Sequence, residues 1–382
     1  MPQVCYITET LQKLVQINSI NPSLESDGAG EKEIALFIAG EMSSMGIQVE
    51  IDEPEPDRVN VVGTLRGSGD GKSLMLNAHT DTVGVTGMKD PFSGTVKDGK
   101  LYGRGAYDMK GSIAAILSVA KKLTDLNQNL NGDLVFSFVA DEEYESLGAI
   151  QLAKNYKVDA AIVAEPTDLN ICLAHRGFGV FKIVTEGKTA HGGNHRQGVD
   201  ANTKMGLLLT ELNSYSNKLP DQNNHPLCGE ASMHVPLIEG GNSLFIYSNR
   251  CTVYVERRTT PGETKELILA ELKEVIDKLK EKDPNFKASI TCEIWRNPYE
   301  INSNSSIVKH LLKMSENELG YQPSYIGHTW WEDSAIFGHA GIETVIIGPK
   351  GGGIHEDEEW VEIDSVKKLS EILYQTAIAY CN

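Results

Sequence analysis

The chain has 382 residues, of which 40% are hydrophobic and 23% charged, and its formal net charge is −18. This is the composition of an ordinary globular protein that is long enough for two hydrophobic cores. The negative charge argues against nucleic acid or an anionic membrane surface as a partner, because both favour a basic face.

The cysteines and the first residues of the chain indicate the cellular compartment in which the protein is expected. Six cysteines lie far apart without a CxxC pair, which is typical of a reducing compartment rather than of a disulfide scaffold or a thiolate zinc site. The first residues, MPQVCYITET, lack the basic and apolar segments of a signal peptide. The longest apolar run, IAAILSVA, is too short to cross a bilayer. We therefore expect a cytoplasmic protein with no membrane partner.

The first half of the chain alternates between helix and strand patterns. Apolar residues recur at the helix period in 5–17 and 31–45, and Gly46 ends the second of these helices. Strands are predicted at 59–67, 73–81, 134–140 and 158–164, a loop that opens into a helix at 103–123, and a further helix at 146–154. Short apolar strands that alternate with helices indicate an α/β domain with a largely parallel sheet.

From about residue 178 the pattern changes to β-α-β-β-α-β, which is ferredoxin-like. Its predicted elements are a strand at 179–188, a helix at 200–217, two strands within 243–259, a helix at 262–281 and a strand at 287–295. The α/β pattern then returns, with a helix at 305–319, a strand at 343–348 and a helix at 364–380. We therefore predict a catalytic domain at 1–177 and 294–382, interrupted by an inserted α+β domain at 178–293.

Imidazole and carboxylate side chains follow the predicted strands. The buried run LVFSFVA ends in three acids, Asp141, Glu142 and Glu143, whose mutual repulsion must be offset by solvent or by a cation. The carboxyl ends of parallel strands form the ligand-binding edge of such a sheet. The side chains expected at this edge are His79, Asp108, Glu143, Glu165 and His355. Ligands of this kind without thiolate favour zinc, cobalt or manganese, and the set is large enough for two ions if one carboxylate bridges them.

Seven segments in order carry a resemblance to a known family. They are NAHTDTV, GRGAYDMKG, DEEYES, AEPT, GKTAHGG, ERRTTPG and GPKGGGIHEDEEWV. Over nearly its whole length the chain resembles the dinuclear-zinc amidohydrolases that include acetylornithine deacetylase, succinyl-diaminopimelate desuccinylase, aminoacylase and the glutamate carboxypeptidases. It is most similar to the acetylornithine deacetylase-like members. The resemblance implies an enzyme of arginine biosynthesis that cleaves the amide bond of a small N-acyl amino acid.

The resemblance also implies a role for each candidate metal ligand. His79 and Glu165 would bind the first metal ion, His355 and Glu143 the second, and Asp108 would bridge the two. Zinc is expected, with cobalt and manganese as alternatives. Two such ions lower the pKa of a water that lies between them.

Three further residues take catalytic roles by resemblance. Asp81 would orient His79, and Glu142 would be the general base that takes the proton of the water and delivers it to the leaving amine. His191 would stabilise the oxyanion from the partner subunit, which implies a homodimer. His195 competes with His191 for this role, and we favour His191.

The substrate contacts depart from the family pattern in places. Arg258 matches the arginine that binds the substrate carboxylate, since a guanidinium pairs bidentately with it. Phe245 occupies a position where the family has an asparagine, and Asn242 could replace that amide. Gly352, in the Gly-rich loop before His355, is a further candidate contact. The segment GHTWWEDSA is bulky and aromatic where the desuccinylases have small residues.

Other functions remain in competition. Succinyl-diaminopimelate desuccinylase and a metallopeptidase of the dipeptidase or glutamate carboxypeptidase type would use the same chemistry. A phosphate-binding loop is excluded because the chain has no G-x-x-x-x-G-K-[ST] and because acids flank its Gly-rich loops. A non-catalytic binding module with this fold is disfavoured, since every expected metal and base position is intact.

Overall fold

The computed structural model describes residues 3–382 and divides them into two compact units. The first unit comprises the chain up to Leu173, Ile301–Ile326 and Glu332–Asn382. The second comprises Ala174–Glu300 and Gly327–Trp331. No helix within residues 3–382 has both the length and the apolar character of a membrane span.

The leading segment of the chain alternates strands and helices. Its elements are α1 (Gln3–Gln16), α2 (Lys32–Ser44), β1 (Gln48–Glu55), β2 (Arg58–Leu65), β3 (Leu74–His79), β4 (Thr95–Lys97), β5 (Lys100–Tyr102), an irregular helical turn (Ala106–Lys110), α3 (Gly111–Asp125), β6 (Leu134–Val139), α4 (Leu147–Asn155), β7 (Ala160–Val163) and β8 (Ile171–His175).

The middle and last segments contain the remaining elements. The middle segment has β9 (Gly177–Glu186), α5 (Ala201–Ser216), α6 (Leu219–Gln222), β10 (Asn224–His225), β11 (Gly229–Glu230), β12 (Ser232–Gly240), β13 (Arg250–Thr259), α7 (Lys265–Lys282), β14 (Lys287–Arg296) and β15 (Tyr299–Glu300). The last has α8 (Ser306–Leu319), β16 (Tyr325–His328), α9 (Ser334–His339), β17 (Glu343–Ile346), β18 (Gly351–Gly352), β19 (Trp360–Glu362) and α10 (Ile363–Cys381).

The main sheet of the first unit runs in the order β1-β2-β6-β3-β7-β17-β8. The four central strands, β6, β3, β7 and β17, pair in parallel, and the strands on either side pair antiparallel. Every residue of β3, β6 and β7 is buried, as expected for parallel strands that are covered on both faces. The α/β prediction with a largely parallel sheet is confirmed.

The second unit is a four-stranded antiparallel sheet, in the order β12-β13-β9-β14, with α5 and α7 packed on it. Burial alternates along β9, and its inward residues include Phe181 and Ile183. Both helices have a capped start: the side chains of Asp200 and Thr264 accept backbone N–H groups of α5 and α7. The order β9-α5-β12-β13-α7-β14 is the expected ferredoxin-like pattern.

One of the two strands predicted within 243–259 is wrong. Only one strand, β13, lies within 243–259, and its hairpin partner β12 precedes that range. β12 is an edge strand with almost no buried side chain, and the pairing shifts between His234 and Leu237, around Pro236. The edge position removes the alternation on which strand prediction depends. The apolar residues Leu244 and Phe245, which suggested a strand, lie exposed in a loop.

Candidate metal centre

Three neighbouring parallel strands bring candidate ligands to one edge of the main sheet. His79 is the last residue of β3, Glu142 and Glu143 lie in the turn after β6, and Glu165 follows β7 by two residues. Because β6, β3 and β7 are adjacent and parallel, their carboxyl ends lie side by side. The topology alone therefore gathers one imidazole and three carboxylates.

Two loops add Asp108 and His355 to this cluster. Asp108 lies in the irregular turn before α3, and His355 lies between β18 and β19. One carboxylate oxygen of Asp108, Oδ1, is 3.0 Å from His79 Nε2, and the other, Oδ2, is 3.3 Å from His355 Nε2. Asp108 thus presents one oxygen to each histidine.

Each histidine also has a carboxylate of its own. Glu165 Oε1 lies 3.6 Å from His79 Nε2, and Glu143 Oε1 lies 3.1 Å from His355 Nε2. In each of the groups His79–Asp108–Glu165 and Asp108–Glu143–His355, the potential ligand atoms lie within 4.8 Å of one another. Two groups with nitrogen and oxygen donors that share one carboxylate fit a pair of divalent cations.

The pKa shifts of the clustered side chains also favour the binding of cations. Burial raises the pKa of Glu142, Glu143 and Glu165, and the charge of Glu165 raises that of Glu142 further. Hydrogen bonds to Asp108 and Glu143 raise the pKa of His355 to about 10. Raised pKa values of buried carboxylates and of the neighbouring imidazole both indicate a site short of positive charge. Divalent cations at this site would therefore be stabilising.

Asp81 connects the histidine to the glutamate turn. His79 Nδ1 lies 3.0 Å from the backbone oxygen of Asp81 and 3.6 Å from its Oδ1, which leaves Nε2 to face the other ligands. The Asp81 carboxylate also accepts the backbone N–H groups of Glu142 and Glu143, both at 3.1 Å. The backbone oxygen of Asp81 therefore holds the His79 ring, and its buried carboxylate fixes the backbone that carries both glutamates.

Asp81 belongs to a buried polar network that the sequence did not predict. The Asn21 amide donates to Asp81 Oδ2 at 2.8 Å and to Asp141 Oδ1 at 3.0 Å. Asp141 is paired with Arg58 at 2.5 Å, and the same guanidinium nitrogen contacts Glu31 at 2.7 Å. The first acid of the triplet is thus neutralised by an arginine. Asn21 and Arg58 belong to none of the seven segments, so the sequence carried no signal for them.

His191 and Asn242 lie in two exposed loops of the second unit. The loops are joined by a β-bridge between His191 and Ile246 and by a 2.8 Å hydrogen bond from the Gly192 N–H to the Phe245 oxygen. The Asn242 amide is 3.5 Å from the side-chain oxygen of Asn249.

The two adjacent arginines of β13 have different environments. Arg257 is fully buried and paired with Glu263. Arg258 is partly exposed, contacts Glu256, and has its guanidinium 5.0 Å from the centre of the Phe178 ring. Arg258 is therefore the one available to a ligand. Gly352, in the first unit, lies in β18 and pairs with Trp360.

Comparison of the sequence with known protein families identifies the family of this chain. Residues 75–379 match the sequence profile described as Peptidase family M20/M25/M40. The chain belongs to this family. It is therefore a hydrolase of a family that includes dinuclear metal-binding peptidases, and the resemblance found in the sequence is confirmed.

Individual family members have different names. An acetylornithine deacetylase of Buchnera aphidicola is 28% identical over 397 residues, which cover 100% of this chain and 99% of that protein. An N-formyl-4-amino-5-aminomethyl-2-methylpyrimidine deformylase of Bacillus subtilis is 26% identical and covers 91% of this chain and 89% of its own. A Bacillus subtilis structure described as a dinuclear metal-binding peptidase of the M20 family has a TM-score of 0.76, 16% identity, and covers 99% of this chain and 98% of its own. At this identity it shows the shared fold.

The buried Arg58 network yields a stability prediction. Arg58→Met leaves Asp141 and Glu31 buried without a cation, and we expect it to lower the free energy of unfolding by about 3–5 kcal/mol in urea denaturation. The loss should shrink as the pH falls, because the unpaired Glu31 carboxylate then binds a proton in the folded state. Burial and the charge of Asp81 already raise the pKa of Glu31 to about 7.

Arg66→Met is the matched control, since its ion pair with Asp133 is largely exposed. It should change the free energy of unfolding by about 1 kcal/mol or less. Equal effects of the two substitutions would contradict the assigned importance of the buried network.

Proposed function

We propose that the protein is a dinuclear metal-dependent amidohydrolase that removes the acyl group from a small N-acyl amino acid, in the manner of an acetylornithine deacetylase. The observation that carries this proposal is Asp108, whose two oxygens face His79 and His355 respectively. The similarity to acetylornithine deacetylases along their full length supports the substrate class. On this account the enzyme acts in arginine biosynthesis in the cytoplasm.

In this proposal each ligand group holds one divalent cation. His79 and Glu165 bind the first, Glu143 and His355 bind the second, and Asp108 is shared. Zinc suits these donors best, and cobalt or manganese would also fit. Such ions, when bound, polarise the amide carbonyl and lower the pKa of a water at the site.

Glu142 is the proposed general base. Its side chain belongs to neither ligand group, although its neighbour Glu143 does. Its backbone is fixed by Asp81, and burial together with the charge of Glu165 raises its pKa. A carboxylate with a raised pKa can take the proton of the attacking water and pass it to the leaving nitrogen.

The second unit supplies the remaining proposed contacts. His191 donates a hydrogen bond to the oxyanion from the partner subunit of a homodimer. Arg258 pairs with the free carboxylate of the amino acid, for which its 35% side-chain exposure leaves room. Gly352 and Asn242 are proposed as further substrate contacts.

A metallopeptidase is the second candidate. The Bacillus subtilis structure with the shared fold is described as a peptidase, and hydrolysis of a peptide bond would need the same ligands and the same base. Succinyl-diaminopimelate desuccinylase is a third possibility of the same chemical type. Substrate kinetics separates all three.

The adjacent glutamates give the most specific test of the mechanism. Glu142→Gln should abolish turnover and leave the metal content near that of the unaltered enzyme, because it removes only the base. Glu143→Gln should weaken binding of the second metal ion, because it removes a ligand. The test is to measure the metal content of each variant by atomic absorption together with its activity. Metal loss in Glu142→Gln with metal retained in Glu143→Gln would show that the two roles are inverted.

Complementation tests the proposed action of His191 across a dimer. His191→Ala should lower kcat by roughly 10²–10³ with the metals retained, as for the loss of one oxyanion donor. Mixing this variant with Glu142→Gln should restore part of the activity, because hybrid dimers contain one intact site. His195→Ala is the control and should retain activity. No recovery after demonstrated subunit exchange would argue against a donor from the partner.

A substrate panel tests the proposed specificity. Short N-acyl derivatives of ornithine-like amino acids should be hydrolysed with a higher kcat/KM than succinyl-diaminopimelate or unblocked dipeptides. Arg258→Ala should raise KM strongly, because the substrate carboxylate loses its partner. If a dipeptide or succinyl-diaminopimelate is the best substrate, the deacylase assignment is wrong while the dinuclear mechanism stands.

A further inference from the structure

One buried carboxylate of the first unit has no role in the proposed reaction. Glu359 lies just before β19, four residues after His355, and is 1% exposed. Its Oε1 accepts the backbone N–H groups of Tyr107 at 2.8 Å and Asp108 at 3.0 Å. Its Oε2 accepts the Gly105 N–H at 2.9 Å and Arg104 Nη1 at 2.8 Å. Four donors therefore converge on one side chain.

These hydrogen bonds determine the path of the loop that carries Asp108. Backbone N–H groups of Gly105, Tyr107 and Asp108 surround a single anion, an arrangement that fixes three peptide units of this loop. Gly105 takes a positive φ of 77°, a conformation that residues with a Cβ rarely adopt. The carboxylate of Asp108 can face both histidines only while its own backbone is held in this position.

The same side chains reach the turn that carries His355. Arg104 Nη1 is bound to Glu359, and Arg104 Nη2 donates to the Glu356 carbonyl at 3.1 Å. Glu356 directly follows His355, and its N–H closes the turn on the Gly353 carbonyl at 3.0 Å. The Arg104–Glu359 pair thus joins the Asp108 loop to the His355 turn.

We propose that Glu359, with Arg104, is a positioning residue that holds Asp108 and His355 at metal-binding separation and so sets the affinity of the second metal ion. This inference rests on the ligand assignment in the proposed function. His79 ends one strand of the main sheet and Glu165 follows another, and neither contacts Glu359 among the hydrogen bonds and ion pairs of the described residues. The affinity of the first ion should therefore depend less on Glu359, because His79 and Glu165 still bind it.

Metal titration of the full-length protein tests the proposal. Glu359→Gln preserves the shape of the side chain but places an NH₂ group against N–H donors. Glu358→Gln removes the adjacent charge, which is exposed, and is the matched control. Each protein, stripped with a chelator, is titrated with Co²⁺ while the Co²⁺ absorption spectrum and a competing chromophoric chelator report each binding step.

Both the unaltered protein and Glu358→Gln should bind two ions, and the affinity of each site should be the same in the two proteins. Glu359→Gln should retain one tight site and bind the second ion about 10–100-fold more weakly, the range found when outer hydrogen-bond partners of metal ligands are removed. The melting temperature of the metal-free protein should fall in Glu359→Gln, because the buried Arg104 loses its anionic partner. The unequal loss of the two metal affinities is therefore the result that identifies a positioning role.

Two results would overturn this inference and leave the proposed function standing: unaltered metal affinities in Glu359→Gln, or equal weakening of the binding of both ions. The second result would mean that Glu359 supports only the fold. If the unaltered protein binds no pair of ions, the proposed function and this inference both fail.

Discussion

The whole arrangement depends on the burial of many carboxylates at the carboxyl ends of the parallel strands of the main sheet and in the adjoining loops. Asp81, Asp141, Glu165 and Glu359 are each at most 5% exposed, and each needs a partner because an isolated buried charge is unstable. The protein meets this constraint in two ways. Arginines neutralise Asp141 and Glu359, whereas the carboxylates beside His79 and His355 form the groups that fit divalent cations.

The carboxylates that are paired with arginines support the loops of the site, whereas the carboxylates beside the histidines are the candidate metal ligands. Asp141 and Glu359, each paired with an arginine, also accept backbone N–H groups of segments that carry candidate ligands. Asp141 accepts those of the glutamate turn and Glu359 those of the Asp108 loop. Asp81 connects the two levels, since it contacts His79 and the backbone of both glutamates. The candidate ligands therefore rest on a rigid layer of hydrogen bonds, as precise metal geometry requires.

The sequence predicted the parts of the site that follow from topology or from local segments. His79, Asp108, Glu143, Glu165 and His355 were placed together because they follow strands whose carboxyl ends meet at one edge, and the resemblance supplied the role of each. The outer layer could not be predicted in the same way. Arg104 and Glu359 are 255 residues apart, and Asn21 and Asp141 are 120 apart. β12 was missed because an exposed edge strand around a proline carries no alternating pattern.

The central claim is that two cations share Asp108. Anomalous diffraction at the zinc absorption edge, from crystals of the zinc-loaded protein, tests it most directly. The account predicts two peaks, one within about 2.0–2.2 Å of ligand atoms of His79, Glu165 and Asp108, and one equally close to Glu143, His355 and Asp108. A single peak, or two peaks that do not both contact Asp108, would contradict it.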